Sequence, residues 1–533
     1  MKPKTAPMEI ALPARALCAS IVLAASGLAA CGSSDDPPTS AGQQLAPQVG
    51  TQATLSAFQV LGVAPGPTPF ISLVELSGAE VENLTNIQFT IAPRPGSVSK
   101  PVHVTYGMGM LLSEGRVSAE QGQITLPVFG LYAGYSNQVS IQLDFQDGST
   151  TQIPLGITTA AYADPTAIYD KPTVLMQRAA GSALGFDFFV MKAAVGSPVI
   201  VDTDGELRWA GTGVASGMSS ALNGDVFLIG DQQSPTLHRL GLDGVLRADI
   251  ALPDPPYADF DHNIDYGKQG FLANFDTVDT LPRRLAGIKN IETTLVEMNS
   301  QSHIFSKWDM AEILSNYMRS QGDDPSAFVR PGVDWFHMNA SAYDPNDDTV
   351  IVSSRENFLI KLDYATGNIV WIFGDPTKYW YTFPSLRAKA VSLAPDGLYP
   401  IGQHAVSVTP DGLVMVFNDG YPSVNEPPGE PAGASRTYSA VSAYSIDPGA
   451  LTAQEVWRFE YNQSILSDFC GSAYQTTDGS VLVDYALAEN GTEARLVGLD
   501  AGHNVVFDLR YPTTSCNTSW NAVPIALDAY TIP

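Results

Sequence analysis

Three of the seven histidines in this 533-residue chain, His262, His337 and His404, follow one another at intervals of 75 and 67 residues. Each opens a strand-like phrase: Asp261-His262-Asn263-Ile264-Asp265-Tyr266, Trp335-Phe336-His337-Met338-Asn339-Ala340, and Gly402-Gln403-His404-Ala405-Val406-Ser407. Arg355 follows Asn339 by 16 residues, inside Val352-Ser353-Ser354-Arg355-Glu356. Neutral imidazole is a nucleophile, and protonated imidazole is an acid. Guanidinium is a permanently charged, planar fork of N–H donors suited to an oxyanion. Imidazoles and a guanidinium gathered at one point would hold a tetrahedral anion and react with it.

Residues so far apart meet only if the elements between them return equivalent positions to one place. Weak repeats after residue 172 would do this. One phrase sets a turn before a short strand: Asp204-Gly205-Glu206-Leu207-Arg208-Trp209, Asp243-Gly244-Val245-Leu246-Arg247, Thr366-Gly367-Asn368-Ile369-Val370-Trp371 and, more loosely, Gly502-His503-Asn504-Val505-Val506-Phe507. A second marks hairpins: Asn223-Gly224-Asp225-Val226-Phe227, Asp411-Gly412-Leu413-Val414-Met415 and Asp478-Gly479-Ser480-Val481-Leu482. Such units suit the blades of a β-propeller, whose inner strands face one central channel. The expected class is all-β, with a six-bladed β-propeller over 172–533. Met310 to Ser320 reads as a helical insertion with Asp309 as its N-cap.

Ahead of the repeats, residues 55–165 alternate apolar and polar positions, as in Ile87-Gln88-Phe89-Thr90-Ile91 and Val139-Ser140-Ile141-Gln142-Leu143. That period fits a small β-sandwich. Lys2, Lys4 and Arg15 precede the apolar run Ala16 to Ala30, and Leu28-Ala29-Ala30-Cys31 resembles a bacterial lipobox. Residues 1–30 are therefore expected to be a lipoprotein signal peptide, Cys31 the lipidated residue, and 31–54 a flexible tether. This implies a periplasmic protein, lipid-anchored at the outer membrane. Cys470 and Cys516 remain in an oxidising compartment, either as a disulfide or as two buried thiols.

Lys+Arg 28 against Asp+Glu 55 gives a formal charge of −27. This excludes electrostatic binding to nucleic acid or to an anionic membrane surface, leaving a lipid anchor as the membrane contact. An anionic substrate would need local positive charge, which histidine and arginine supply.

The order and content of the histidine phrases resemble those of the bacterial arylsulfate sulfotransferases, over residues 55–533. His-x-Asn followed by Arg355 is the most specific part of the resemblance. It implies a periplasmic propeller enzyme that transfers a sulfuryl group from a phenolic sulfate ester to a phenol by a ping-pong route. No nucleotide sulfate donor and no cofactor would be involved. His404 would carry the group as a sulfohistidine, with His262, His337, Asn339 and Arg355 binding it. His262 or His337 would protonate the leaving phenolic oxygen. Homodimers occur in that family, and its better studied members have a closely spaced disulfide onto which Cys470 and Cys516 do not map.

Trp335, Phe336, Tyr379, Trp380 and Tyr381 are candidate walls for an aryl ring, against core packing as the commoner use of aromatics. His103, His238, His303 and His503 read as structural. Asp344-Pro345-Asn346-Asp347-Asp348 imitates the start of a calcium loop but lacks its glycine and distal glutamate, so a hairpin turn is expected and no metal site. Phosphate-loop, zinc-protease and serine-hydrolase motifs are absent. The competing readings are a non-catalytic propeller lipoprotein that scaffolds envelope proteins and a quinone-dependent dehydrogenase. Neither requires histidines together with an arginine.

Overall fold

The short runs of β-branched and aromatic residues between Gly, Asp and Asn become strands. The computed structural model describes residues 58–170, 172–253, 256–278 and 287–533, and among them eight sheets form. The expected signal peptide, the tether and Cys31 lie outside the described residues. No helix among the described residues is long and apolar enough to cross a membrane.

Two sheets form the front of the described chain. One contains Phe58–Pro65, Ile71–Gly78, Gln123–Phe129 and Val117–Ser118; the other contains Leu84–Ile91, Val102–Gly107, Ser136–Phe145 and Thr150–Thr158. Alternation decides which face is buried: Ile87, Phe89 and Ile91 are covered while Gln88 and Thr90 are partly exposed. Phe89 meets Phe129 of the other sheet edge-on at 5.4 Å. The second sheet gains a further strand from the far end of the chain, Tyr530–Ile532, parallel to Val102–Gly107. The segment 172–533 thus gives its last strand to the front sheets.

Six sheets of four or five strands follow in chain order. Their turns use the glycines of the repeated phrases in the left-handed region, as at Gly205, Gly412 and Gly479 (φ +85°, +84° and +90°). Successive sheets share apolar clusters, and Phe507 of the sixth stacks on Phe189 of the first at 6.2 Å. The first sheet, begun by Phe188–Lys192, is completed by Asn521–Ile525.

One edge strand of each sheet faces its counterparts. Ser220–Asn223 touches Tyr257–Tyr266, which touches Met338–Asp344, then Gln403–Val408, then Ser472–Gln475, then Asn521–Ile525. A cavity of about 340 Å³ lies between them, lined by Ala221, Ile264, Ala342, Val406, Tyr474 and Val523. The two later histidine phrases stand at the starts of such strands, and His262 lies within the one of its sheet.

The helix Met310–Ser320 forms as expected: the Asp309 carboxylate accepts the Glu312 N–H at 3.1 Å, and Met310, Leu314 and Met318 are buried on one face. Asp344 to Asp348 is a hairpin turn. Lys361 reaches Asp344 and Asp347 at 2.8 and 2.7 Å, and Lys268 reaches Asp348 at 2.7 Å.

Candidate active site

Local irregularity aims the histidines. Strand pairing slips between Asp261 and Ile264, between Met338 and Ala340, and between His404 and Ser407. His262 (φ +37°), His337 (φ +51°) and Ala405 (φ +49°) take left-handed backbone at these places. A bulge breaks the alternation of a strand and re-aims a side chain, at a cost of roughly 1–3 kcal/mol for each residue held in a sparsely populated region.

His404 is buried, and its Nδ1 lies 2.9 Å from the Gly402 carbonyl oxygen. Nδ1–H therefore donates, leaving the lone pair on Nε2, which is buried without a hydrogen-bond partner. Burial, then the charge of Arg355, hold this imidazole well below its ordinary pKa, so it is neutral. Gly402 has φ +58°, and a Cβ there would overlap the Asp419 carboxylate, so the turn that presents His404 requires glycine.

Arg355 is buried beside it. Nη1 donates to Glu356 at 2.9 Å, Nη2 lies 3.3 Å from Asp419 Oδ2 and donates to the Asp468 carbonyl at 3.3 Å, and Nε has no partner. Burial pushes Asp419 up to about 8. A largely neutral Asp419 leaves more of the guanidinium charge for a bound anion. Lys378 Nζ donates to the carbonyls of Arg355 and Glu356, and burial lowers it to about 8.

His262 and His337 meet edge to face at 4.6 Å. Nδ1 of His262 is 2.7 Å from Asp261, and Nδ1 of His337 hydrogen-bonds Asp334 at 2.6 Å. Glu292 Oε2 lies 3.6 Å from the first ring nitrogen and 2.9 Å from the second. Burial lowers the pKa of His262, but Glu292 and Asp261 outweigh it, so the net shift is upward. These two histidines and Glu292 bring ligand-type atoms within 4.8 Å of one another. Two ligands of one zinc-like ion stand roughly 3.4 Å apart for bonds of about 2.1 Å. The 2.6 Å contact of His337 with Asp334 is a hydrogen bond too short for two ligands of one ion, so Asp334 braces the imidazole from outside the group.

Trp520 links the histidines. Its ring is 4.8 Å from His262 and 5.8 Å from His404. Behind it, Cys470 and Cys516 are bonded and pack with Ala486 and Leu487. Phe469, next to this disulfide, lies 4.8 Å from the Arg355 guanidinium and 5.3 Å from the Tyr421 ring.

Residues 173–521 match the family model described as arylsulfotransferase, and 64–160 match the arylsulfotransferase Ig-like domain. The chain belongs to the arylsulfotransferase family. Among its relatives, the arylsulfate sulfotransferase AssT of Escherichia coli O6:H1 (strain CFT073) is 22% identical, over 82% of this chain and 83% of the relative. AssT of Lelliottia amnigena is 23% identical, over 74% and 78%. This membership makes the chain an enzyme of the aryl-sulfate sulfotransferase type. Solved structures with a likeness to this arylsulfotransferase include the β-propeller domain of Cps50 (Swd1) from Myceliophteria thermophila. It is 12% identical at TM-score 0.33, covering 63% of this chain and 87% of that one. BamB from Moraxella catarrhalis is 11% identical at TM-score 0.24, covering 72% and 96%.

The candidate site brings together His262, His337, His404 and Arg355. Asn339 stands next to them: its Nδ2 donates to the Gln403 carbonyl at 2.8 Å, bracing the strand that carries His404, and its Oδ1 is left unpartnered. Of the two uses weighed for the aromatics of the sequence, core packing is the one the structure shows. Trp335, Phe336, Tyr379 and Trp380 pack with Phe328 and Phe358 in an apolar cluster, with Tyr381 against its edge. The aromatics at the site are Trp520, Phe469 and Tyr421. The other histidines are engaged elsewhere: His103 with Thr90, His238 with Asp249, His303 with Phe305 and His503 with Trp457. Sequence reasoning missed Glu292, Asp334, Asp419 and Trp520. Asp419, in Asn418-Asp419-Gly420 after a strand, carried a turn signal and no chemical one.

Proposed function

We propose that this arylsulfotransferase moves a sulfuryl group from a phenolic sulfate ester to a phenol through His404, without a nucleotide donor. The Nε2 lone pair of His404 forms a bond to sulfur while the bond from sulfur to the phenolic oxygen breaks. A protonated His262 or His337 gives its Nε2 proton to that oxygen, and phenol leaves. In the return half the acceptor phenol gives its proton to the same imidazole. Its oxygen bonds to sulfur, and the N–S bond breaks. Charge on the sulfuryl oxygens is met by Arg355 and the protonated imidazole.

The observation that carries this reading is the unpartnered, buried Nε2 of a neutral His404 next to the Arg355 guanidinium. In this reading the six successive sheets are propeller blades, the two front sheets a β-sandwich, residues 1–30 a lipoprotein signal peptide, and Cys31 the lipidated residue that anchors the enzyme at the periplasmic face of the outer membrane. The test is incubation with a nitrophenyl sulfate with and without phenol, followed by intact mass measurement at mildly alkaline pH. The expected result is phenol-stimulated nitrophenol release and a sulfuryl-sized mass gain that His404→Ala abolishes. A protein that releases nitrophenol at the same rate without phenol is a sulfatase. One that binds envelope proteins and turns over no aryl sulfate is a scaffold.

A further inference from the structure

Glu292 lies on the strand Asn290–Met298, takes no part in the reaction described above, and yet reaches both of the paired histidines. Its backbone is left-handed at φ +50°, as is that of His262 and His337, so the fold bends at all three corners of the cluster. The Asp276 carboxylate fixes this bend by accepting the Glu292 N–H at 2.8 Å. For a non-glycine residue such backbone is held only where the surroundings require it.

The neighbours define what the side chain does. Asp261 and His262 face it from Tyr257–Tyr266, Asp334 and His337 from the segment before Met338–Asp344, and Asp276 from Phe271–Thr277. The cation nearest in sequence, Lys289, is engaged by Asp259 and Asp276. Among the described residues, three carboxyls, those of Asp261, Asp334 and Glu292, therefore face two imidazoles without a lysine or arginine among them. Burial, then Asp261 and Asp334, push the Glu292 carboxyl well above the ordinary range, while the Asp261 carboxyl falls to about 2. Of this hydrogen-bonded pair, Glu292 is the proton donor and Asp261 the acceptor. That leaves Glu292 Oε2 as an acceptor, buried and unpartnered, between the two ring nitrogens.

We propose that Glu292 is a positioning residue for both histidines: it donates to Asp261 and offers Oε2 to the Nδ1–H groups of His262 and His337. Nε2 of each ring is then turned to the sulfuryl group. His337 Nδ1 hydrogen-bonds Asp334 with Glu292 Oε2 2.9 Å away, and His262 Nδ1, which has no hydrogen-bond partner in the structure, lies 2.7 Å from Asp261 and 3.6 Å from Glu292. One carboxyl thereby ties together two rings that carry like charge when protonated. The inference rests on the sulfuryl-transfer reading and adds to it the group that sets the direction of both acids.

Glutamine reproduces a protonated glutamate, with one donor and one acceptor end, whereas leucine of similar size offers neither. In nitrophenyl sulfate turnover with phenol, Glu292→Gln is expected to stay near the wild-type kcat/KM. Glu292→Leu is expected to lose about 10- to 100-fold, the size of a lost hydrogen bond to a charged group. The sharper readout is the alkaline limb of the pH profile. Without the Oε2 acceptor the imidazoles give up their protons more easily, so Glu292→Leu moves that limb to lower pH and Glu292→Gln leaves it in place. Glu292→Asp, one methylene too short, is expected to move it in the same direction and serves if the leucine variant fails to fold. A limb unmoved in the leucine or aspartate variant, or a glutamine variant as impaired as leucine, overturns the proposal. A wild-type protein inert toward aryl sulfates overturns the underlying reaction instead.

Discussion

A histidine can attack sulfur only while one ring nitrogen is bare, and at His404 that condition is met by a carbonyl and by burial together. The Gly402 oxygen takes Nδ1–H, and loss of hydration with the nearby Arg355 disfavours a second proton. The sign for pH dependence follows. With a lowered pKa the neutral form persists below the ordinary histidine value, so the acid limb of kcat/KM is expected below about pH 6.5. A steady-state profile measures it. Arg355→Gln, which removes one of the two causes, is expected to move the limb upward as well as slow the reaction. At this scale the sequence was informative where chemistry is rare. Histidine is scarce in the chain, so three spaced phrases stood out. The carboxyls were not legible, because aspartate and glutamate are plentiful and Glu292 joins the cluster through a bulge on a neighbouring strand, with no motif of its own.

Among elements, the segment that leads into Cys470, stapled there to Cys516, governs the wall of the site. It carries Asp468, whose carbonyl holds Arg355, and Phe469, and the bonded cysteines back Trp520. Closing 46 residues restrains the unfolded chain by roughly 4 kcal/mol on a chain-entropy estimate. The Cys470→Ala/Cys516→Ala double variant is expected to lose about 2–4 kcal/mol in denaturant unfolding. Its KM for aryl sulfate is expected to rise as Trp520 and Phe469 loosen. The helix Met310–Ser320 and the Asp-rich hairpin turn were readable from capping and turn chemistry alone. The candidate aryl walls are core for a physical reason. Trp335 and Phe336 adjoin His337 in sequence, but the left-handed residue at His337 separates the directions of the neighbouring side chains, and both rings turn into the core.

At the scale of the whole molecule, burial of carboxyls sets how stability varies with pH. Burial raises Asp202 and Asp265 to about 6, Asp276 and Asp484 to about 7, and Asp419 to about 8. A raised carboxyl keeps a proton in the folded chain that the unfolded chain releases near pH 4. Its contribution is whole below that pH and is lost as pH climbs through the folded value. A formal charge of −27 acts in the same direction. Unfolding midpoints taken from pH 5 to pH 8 at fixed salt are therefore expected to fall. A midpoint that rises across this window would mean these carboxyls ionise freely in the folded protein. The alternation of the front segment and the repeated turn phrases made the sheets readable. The joint between the front and the rest was not. Arg208 binds Asp202 and the Gly130 carbonyl and lies 3.7 Å over the Tyr132 ring, a set of contacts that no local pattern announces.

The strand Tyr530–Ile532 completes a front sheet from more than 400 residues away. Just before it, Asn521–Ile525 fills the vacancy in the first of the six later sheets. Both ends of the structure thus wait on the same dozen residues. Removing Asn521 to Ile532 would therefore open a front sheet and the first of the later sheets together.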